Sequence, residues 1–409
     1  MERVAAPSLV GQREAVKTLN IAIIGGCGHV GLPLGLFFAD GGHHVTLIDT
    51  DPARVAAVQA GEMPFCENGG EPALIRNLAN QRLQVTTQLD LLPTQDIVVV
   101  TIGTPVDEFL DPEVRSFDRA MQPVLDYMCS GQLLLLRSTV FPGVTDRLSR
   151  FIAERDLGID LTYCPERIAQ GYAIEELVKL PQIISGTTPR AVARAAALFT
   201  SLGVRVIELR PIEAELAKLF SNSYRYISFA ISNQFYMIAE KFGADFASIH
   251  KAVTTDYPRM AGFAGAGFAG GPCLLKDTMQ LAAFNHNTFA LGQAAMMVNE
   301  GLPGFVIERL KANRDLSCDT VGILGMAFKG NCDDPRSSLS YKLRKILSLE
   351  CRRVLCTDPY VKDPSFVTLE TTLAEADILI IGACHDQYRE LNTDKPLVDI
   401  FNFTKRNNL

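Results

Sequence analysis

Asn20-Ile-Ala-Ile-Ile-Gly-Gly-Cys-Gly-His-Val-Gly31 is the run from which the architecture of this 409-residue chain can be read. Asn20 to Ile24 is a short apolar stretch of β type. The turn after it carries His29 and Val30 and places Gly26, Gly28 and Gly31 in the spacing GxGxxG. Leu32 to Ala39 reads as a helix, and His44 to Ile48 as a second strand ending at Asp49. Strand, glycine turn, helix, strand and an acid about 20 residues on form the full context of a dinucleotide site. The first glycine makes the turn, the second admits a pyrophosphate, and the third lets the helix pack on the strand. The phosphates would rest on the helix N-terminus. Asp49 suits the adenosine ribose hydroxyls and repels a 2′-phosphate. Thr50 and Asp51 follow it with no adjacent Arg or Lys, so NAD is favoured over NADP as cofactor.

Further strand signals follow at Asp96 to Thr101 and Gln132 to Thr139, each ending in a polar turn. Open α/β sheets carry their ligands at the carboxyl ends of the strands. Thr104 and Thr139 stand at such ends, although ordinary turn chemistry also uses Thr there. Leu161 to Cys164 is another short strand, and it leads into Pro165-Glu166-Arg167. Position alone leaves Glu166 open between a site residue and a surface carboxylate. These elements define a dinucleotide-binding, Rossmann-like domain over residues 19–208, preceded by a short tail over 1–18.

The pattern then changes. From Pro211 to Phe242 apolar residues keep helical spacing over one long span, as a helix that needs partners on several sides. Lys218 and Asn222, four apart, share one face of it. Phe246 to Val253 and Leu291 to Leu310 continue a helical domain over 209–312. Between them the glycine-rich loop Gly262 to Gly271 leads into Gly270-Gly-Pro-Cys-Leu-Leu-Lys-Asp277. Pro272 suits the first position of a helix. Cys273 would then lie in the first turn, where the helix dipole favours a thiolate. Lys276 and Asp277, three and four residues on, complete one face with a thiol, an amine and a carboxylate, a set fit for covalent catalysis. In isolation the same spacing also fits a structural Cys beside a surface ion pair.

The last quarter, 313–409, returns to α/β. Thr320 to Leu324, Arg353 to Cys356 and the run from Glu375 to Gly382 are strands, and Ser337 to Leu349 is a helix. This second Rossmann-like unit lacks GxGxxG, so it is expected to hold the nucleotide part of a different ligand. The fold class is therefore α/β, with two Rossmann-like domains joined by a central helical domain.

The length calls for two or three domains. A hydrophobic fraction of 47% is that of a soluble globular protein, and a net charge of −7 without a basic run argues against nucleic acid as partner. No apolar run is long enough to span a bilayer, and the N-terminus has no secretory core. Ten scattered Cys without metal spacing point to a reducing cytoplasm, no metal site and mostly buried thiols.

Taken in order, these motifs resemble those of the UDP-glucose/GDP-mannose dehydrogenase family, the NAD-dependent nucleotide-sugar 6-dehydrogenases. They are the glycine turn, Ser138-Thr-Val-Phe-Pro-Gly143, Pro165-Glu166-Arg167, Lys218-x-x-x-Asn222, Gly270 to Asp277, and Ala327-Phe-Lys-Gly-Asn-Cys-Asp-Asp-Pro-Arg336. The resemblance runs from Asn20 to about Asn402. It implies an NAD domain, a central dimerisation domain and a C-terminal domain for the nucleotide sugar, working as a homodimer or a multiple of it in polysaccharide precursor synthesis. It implies two successive oxidations, alcohol to aldehyde to acid, with Cys273 as the nucleophile that forms a thiohemiacetal and then a thioester. By the same resemblance Lys218 and Asn222 stabilise oxyanions, Asp277 with a water and Thr139 handles the first proton, and Glu166 serves thioester hydrolysis. Lys276 is expected on cofactor or phosphate. Arg259 of a neighbouring subunit, Phe268, Gly270, Lys329 and Arg336 are expected on the substrate.

Three departures mark a subfamily. Gln170 stands where many members carry a second Glu, Gly-Pro-Cys replaces the usual Gly-Ser-Cys or Gly-His-Cys, and Asn233-Gln234 replaces Asn-Glu. The Cys164-Pro-Glu-Arg167 form resembles the UDP-N-acetylhexosamine branch, whereas Lys276-Asp277 resembles the UDP-glucose branch. The expected substrate is a UDP-N-acetylhexosamine. UDP-glucose 6-dehydrogenase, or a two-electron dehydrogenase of a nucleotide sugar, is the alternative.

Overall fold

Strands buried on both faces read as unbroken apolar runs, and the central strands of the first sheet are of that kind. The computed structural model describes residues 17–405 apart from Pro105, Glu108 and Phe109. The expected tail therefore lies outside the described residues, except for Lys17 and Thr18.

The first unit runs β1 (Asn20–Ile24), α1 (Gly31–Asp40), β2 (His44–Ile48), α2 (Pro52–Gln59), α3 (Gly70–Ala79), β3 (Leu83–Thr86), β4 (Ile97–Val100) and α4 (Val114–Tyr127). It continues with β5 (Leu133–Leu136), α5 (Val144–Glu154), β6 (Asp160–Tyr163), α6 (Ala173–Lys179), β7 (Gln182–Gly186), α7 (Pro189–Ser201) and β8 (Val206–Glu208). The sheet order is β3-β2-β1-β4-β5-β6-β7-β8. All neighbours are parallel except β6 and β7. The direction of the sequence order reverses between β1 and β4, so ligands are expected above the carboxyl ends of those strands. Two buried apolar clusters cover the two faces, one built on α1 and α7 and the other on α4 and α5. The strands β3, β7 and β8 have no counterpart in the sequence reading, because β3 and β8 are only four and three residues long and β7 sets its two Ile among Gln182, Ser185 and Gly186.

The middle of the chain is helical: α8 (Pro211–Lys241), α9 (Phe246–Thr254), α10 (Leu274–Phe284) and α11 (Ala290–Asn313). The second sheet has the order β10-β9-β11-β12, all parallel. It comprises β9 (Thr320–Leu324), β10 (Arg353–Thr357), β11 (Ile378–Ile381) and β12 (Leu397–Val398), with α12 (Leu339–Glu350) and α13 (Leu369–Glu375) between them. One core joins Tyr236 of α8 and Leu302 and Val306 of α11 to Ile323 of β9 and Leu343 of α12. The helices and the second sheet therefore share buried surface.

The cysteines are less buried than expected. All ten are free; Cys27, Cys164, Cys332 and Cys356 are buried, while Cys129, Cys273 and Cys318 are exposed. Among the described residues no helix is long and apolar enough to cross a membrane. Nor do the described His, Cys, Asp and Glu residues form a group able to hold a metal ion.

Candidate active site

The glycine turn joins β1 to α1. Gly25, one residue ahead of the expected turn glycine, takes the positive φ of +76°. Gly26 is pressed against β2, where an added Cβ would lie 2.7 Å from that of Leu47. A Cβ on Gly31 would collide with the Gly25 carbonyl, whereas one on Gly28 would touch only that carbonyl, at 3.4 Å. The turn is thus closed toward the sheet and open at Gly28 and the start of α1, which fits a pyrophosphate. Asp49 accepts from the Cys27 N–H at 3.0 Å and from the Asp51 N–H at 3.2 Å. Each carboxylate oxygen keeps acceptor capacity for a ribose hydroxyl.

The second sheet repeats this device at Asp358, after β10. Its Oδ2 accepts from the Met326 and Ala327 N–H groups at 2.6 and 2.9 Å and pairs with His385 Nε2 at 3.0 Å. Its Oδ1 accepts from the Tyr360 and Val361 N–H groups, both at 2.8 Å. The acid is consumed by its own fold, in keeping with a different ligand for this unit.

Three segments meet around Cys273. The helix α10 begins at Leu274, so Cys273 is its N-cap and Pro272 stands outside it. This corrects the expectation of a thiol inside the first turn. The side chain opens to solvent within a crowded recess. Desolvation raises its pKa above the ordinary thiol value, as does Asp277; Lys218, Lys276 and Arg336 oppose them. The expected thiolate is therefore not the resting form of the unliganded protein.

Asp277, fully buried, takes a 2.5 Å hydrogen bond from Asn222 Nδ2 of α8 and lies 2.8 Å from Lys276 Nζ. Lys276 also donates to the carbonyl and hydroxyl of Thr104 at 3.2 and 3.3 Å, and the Thr104 hydroxyl donates to the Thr139 carbonyl at 2.5 Å. Lys218, on the Asn222 face of α8, is buried and within the field felt by Cys273. Cys273, Lys218, Asn222, Lys276, Asp277, Thr104 and Thr139 are therefore brought together.

The second sheet closes on this cluster. The Gly271 N–H donates to the Ser337 carbonyl at 3.0 Å, so Gly270 and Gly271 lie on the segment before α12. Arg336 is held by Asp334, with 2.6 Å between Nη2 and Oδ2, and Asp334 also lies 4.0 Å from His29 Nε2 in the glycine turn. Desolvation lowers the His29 pKa to about 4, outweighing Asp334, so its ring is neutral at neutral pH. Lys329 donates to the Gln170 carbonyl, and Gln170 Nε2 reaches Asp334 Oδ2 at 3.3 Å. Gln170 thus joins the first and second units.

Three expected residues have other partners. Glu166 is buried against Arg137 and accepts from the Arg167 and Ile168 N–H groups at 2.7 and 3.0 Å. Phe268 turns into the core, edge-on to Phe401, because the loop ahead of Cys273 is packed against the second sheet. Arg259 is exposed and rests on Tyr257 of its own chain.

Sequence reasoning missed Arg137, Glu215 and the part played by Asn233. Buried Asn233 exchanges hydrogen bonds with the Gly267 backbone and reaches Asn299 Oδ1 at 2.9 Å, bracing the glycine-rich loop. The available signal was helical spacing: Glu215 is three residues before Lys218, and a charge on that face needs a buried partner.

Family models of the UDP-glucose/GDP-mannose dehydrogenases match nearly the whole chain: the NAD binding domain over residues 19–203, the central domain over 212–301 and the UDP binding domain over 322–406. A UDP-N-acetyl-D-mannosamine dehydrogenase of Pyrococcus horikoshii is 28% identical over 386 residues, covering 91% of each chain. An NDP-N-acetyl-D-galactosaminuronic acid dehydrogenase of Ralstonia solanacearum is 26% identical and covers 93% of each. Among solved structures, a UDP-D-ManNAc dehydrogenase from P. horikoshii superposes with a TM-score of 0.88 at 27% identity, over 94% of this chain and 96% of that one. A UDP-glucose dehydrogenase from Pyrobaculum islandicum gives 0.87 at 27%, over 97% of each.

Proposed function

This chain belongs to the UDP-glucose/GDP-mannose dehydrogenase family, and from that premise we propose that it oxidises the C6 hydroxyl of a UDP-N-acetylhexosamine to the carboxylate in two NAD-dependent steps. The observation that carries the reading is Cys273 at the N-cap of α10, open to solvent, with Lys218, Lys276 and Arg336 within electrostatic reach and the Asn222–Asp277 pair beside it. The N-acetylated sugar is supported by the Cys164-Pro-Glu-Arg167 form and by the names of the relatives.

NAD, when bound, supplies the hydride acceptor for both oxidations. Gly26, Gly28, Val30 and Gly31 would hold its pyrophosphate, Asp49 its ribose, and Thr104, Thr139 and Lys276 its nicotinamide half. Asp277, through a water shared with Thr139, takes the proton of the sugar hydroxyl. Cys273 attacks the aldehyde carbon. Lys218 and Asn222 face the oxygen that becomes negative in the adduct and again when water attacks the thioester. Covalent capture keeps the aldehyde from escaping. The raised thiol pKa means that a base must remove the thiol proton or the bound state must lower it. Glu166 remains assigned to thioester release, a role that requires Arg137 to yield its hold once substrate is present. Lys329 and Arg336 take the nucleotide sugar from the C-terminal side. The domain limits proposed are 19–208, 209–312 and 313–409.

A second copy of the chain is proposed to complete the assembly. Phe220, Tyr224, Ile231, Phe235 and Ile238 follow one face of α8, Phe242 continues it at the C-cap, and all are exposed, Tyr224 at 69% and Phe242 at 83%. An apolar face of this length calls for a partner, and a neighbour's Arg259 would then reach the sugar. The enzyme is placed in the cytoplasm, a reducing compartment that suits its ten free cysteines.

The test is a panel of UDP-sugars with NAD, scored for NADH per sugar. Two NADH and an acidic product are expected, with the N-acetylated sugars ahead of UDP-glucose. One NADH with a ketone product would refute the proposal; preference for UDP-glucose would move it to the alternative substrate.

A further inference from the structure

Glu215 has no part in the chemistry above, yet it is 1% exposed and uses both oxygens. Oε2 accepts from the Gly143 N–H at 2.6 Å; Oε1 accepts from the Thr145 N–H at 2.8 Å and from the Thr145 hydroxyl at 2.6 Å. The helix α5 has Gly143 at its N-cap and no side-chain cap of its own. A carboxylate from α8, 72 residues away, therefore supplies the acceptors that α5 lacks, at the helix end where negative charge is favoured.

The consequence lies four residues upstream. Gly143 ends the loop Ser138-Thr-Val-Phe-Pro-Gly143, which carries Thr139. The loop has little freedom elsewhere. The Thr139 carbonyl is held by Thr104, and the Phe141 ring stacks on Phe284 of α10 with centroids 4.9 Å apart. Seven residues along α8 from Glu215, about 10 Å at the helical rise, Asn222 holds Asp277. Both partners assigned to the first proton transfer are thus anchored to one helix, Thr139 through Glu215 and Asp277 through Asn222.

We propose that Glu215 is a positioning residue for the oxidation: it ties the Thr139 loop to α8, which also holds Asp277, and so sets the separation of the two groups that share the reactive water. This rests on the assignment of Thr139 and Asp277 above. A buried carboxylate serving only to cap α5 would stabilise the fold without touching kcat.

The experiment is a double-mutant cycle on the full-length enzyme with Glu215→Gln, Thr139→Ala and the pair, read as kcat and KM for the best UDP-sugar together with Tm. The glutamine keeps the shape but turns a donor toward one of the N–H groups. A misplacement near 1 Å costs up to about 100-fold in rate, so Glu215→Gln is expected to lower kcat about 10- to 100-fold, with KM within about twofold. In the Thr139→Ala background the same change should cost less than about threefold, since a residue acting through Thr139 has nothing left to position. A lowered Tm with wild-type kcat, or a loss that multiplies in the double variant, would overturn the proposal. Should Glu215→Gln fail to fold, Thr145→Val removes one of the three donors; a smaller kcat loss that vanishes with Thr139→Ala supports the proposal, and an unchanged or multiplicative kcat overturns it. Absence of wild-type turnover on every sugar would sink the function and this inference together, whereas wild-type turnover with unchanged variant ratios sinks the inference alone.

Discussion

Replacing Asp277 with Asn should make Cys273 more reactive and the enzyme less active. The carboxylate is buried and stands four residues after Cys273, at the start of α10. That spacing puts the two side chains about 6 Å apart. With an effective dielectric near 20, two unit charges at about 6 Å repel by about 2.8 kcal/mol. Cys273 opens to solvent, so roughly half of that, about 1.4 kcal/mol, is a reasonable share after screening. This is about a tenfold rise in thiolate at fixed pH. Thiolate nucleophilicity falls as its pKa falls, with a slope near 0.5, which leaves alkylation about threefold faster. Without screening the gain approaches about tenfold. Freed from its carboxylate, Lys276 pushes the same way. Asp277→Asn is isosteric and keeps an oxygen for Asn222, so the fold should stand. The assay is iodoacetamide labelling of the unliganded protein at pH 7, resolved by peptide mass spectrometry, with exposed Cys129 and Cys318 as internal references. The pH–rate midpoint at Cys273 should move down, while turnover falls about 100-fold or more with loss of the proton acceptor. Labelling at an unchanged or lower rate would show that Asp277 does not set the field at the sulfur. Retained turnover would remove it from proton transfer.

Three further outcomes are expected. Cys273→Ser should abolish formation of the acid, and full two-NADH turnover by that variant would refute thioester chemistry. Arg137→Leu should destabilise the fold by about 3–5 kcal/mol, since it strands a buried carboxylate, and adding Glu166→Leu should restore part of that; urea midpoints measure both. Phe235→Asp, on the exposed face of α8, should halve the mass seen by light scattering, and a wild type that is already monomeric would refute the proposed pairing.

Much of this protein was legible in local pattern. The glycine turn with Asp49 announces its nucleotide unit because a tight turn, a close approach and a ribose acceptor must fall at set distances along one chain. Thr320 to Leu324 reads as a strand to its last residue, because a run buried on both faces is mainly apolar, here Val321, Ile323 and Leu324. Lys218 and Asn222 share a face because helical period places them there. The edge strands β3 and β8 were not legible, being only four and three residues long, nor was β7, whose two Ile stand among Gln182, Ser185 and Gly186.

What the sequence determined by itself was therefore the order of units and the NAD-binding unit, and it marked the proposed nucleophile, each encoded within a few tens of residues. The tertiary structure alone decided how those parts are charged and held. Glu166 is pinned by Arg137 across 29 residues, Asp277 is held by Asn222 across 55, and the Thr139 loop is tied down by Glu215 across 72. Cys273 sits as an N-cap with a raised pKa because burial and the Asp277 carboxylate outweigh Lys218, Lys276 and Arg336. Electrostatics and hydrogen bonds act through space, and no period along the chain records which distant side chain will arrive.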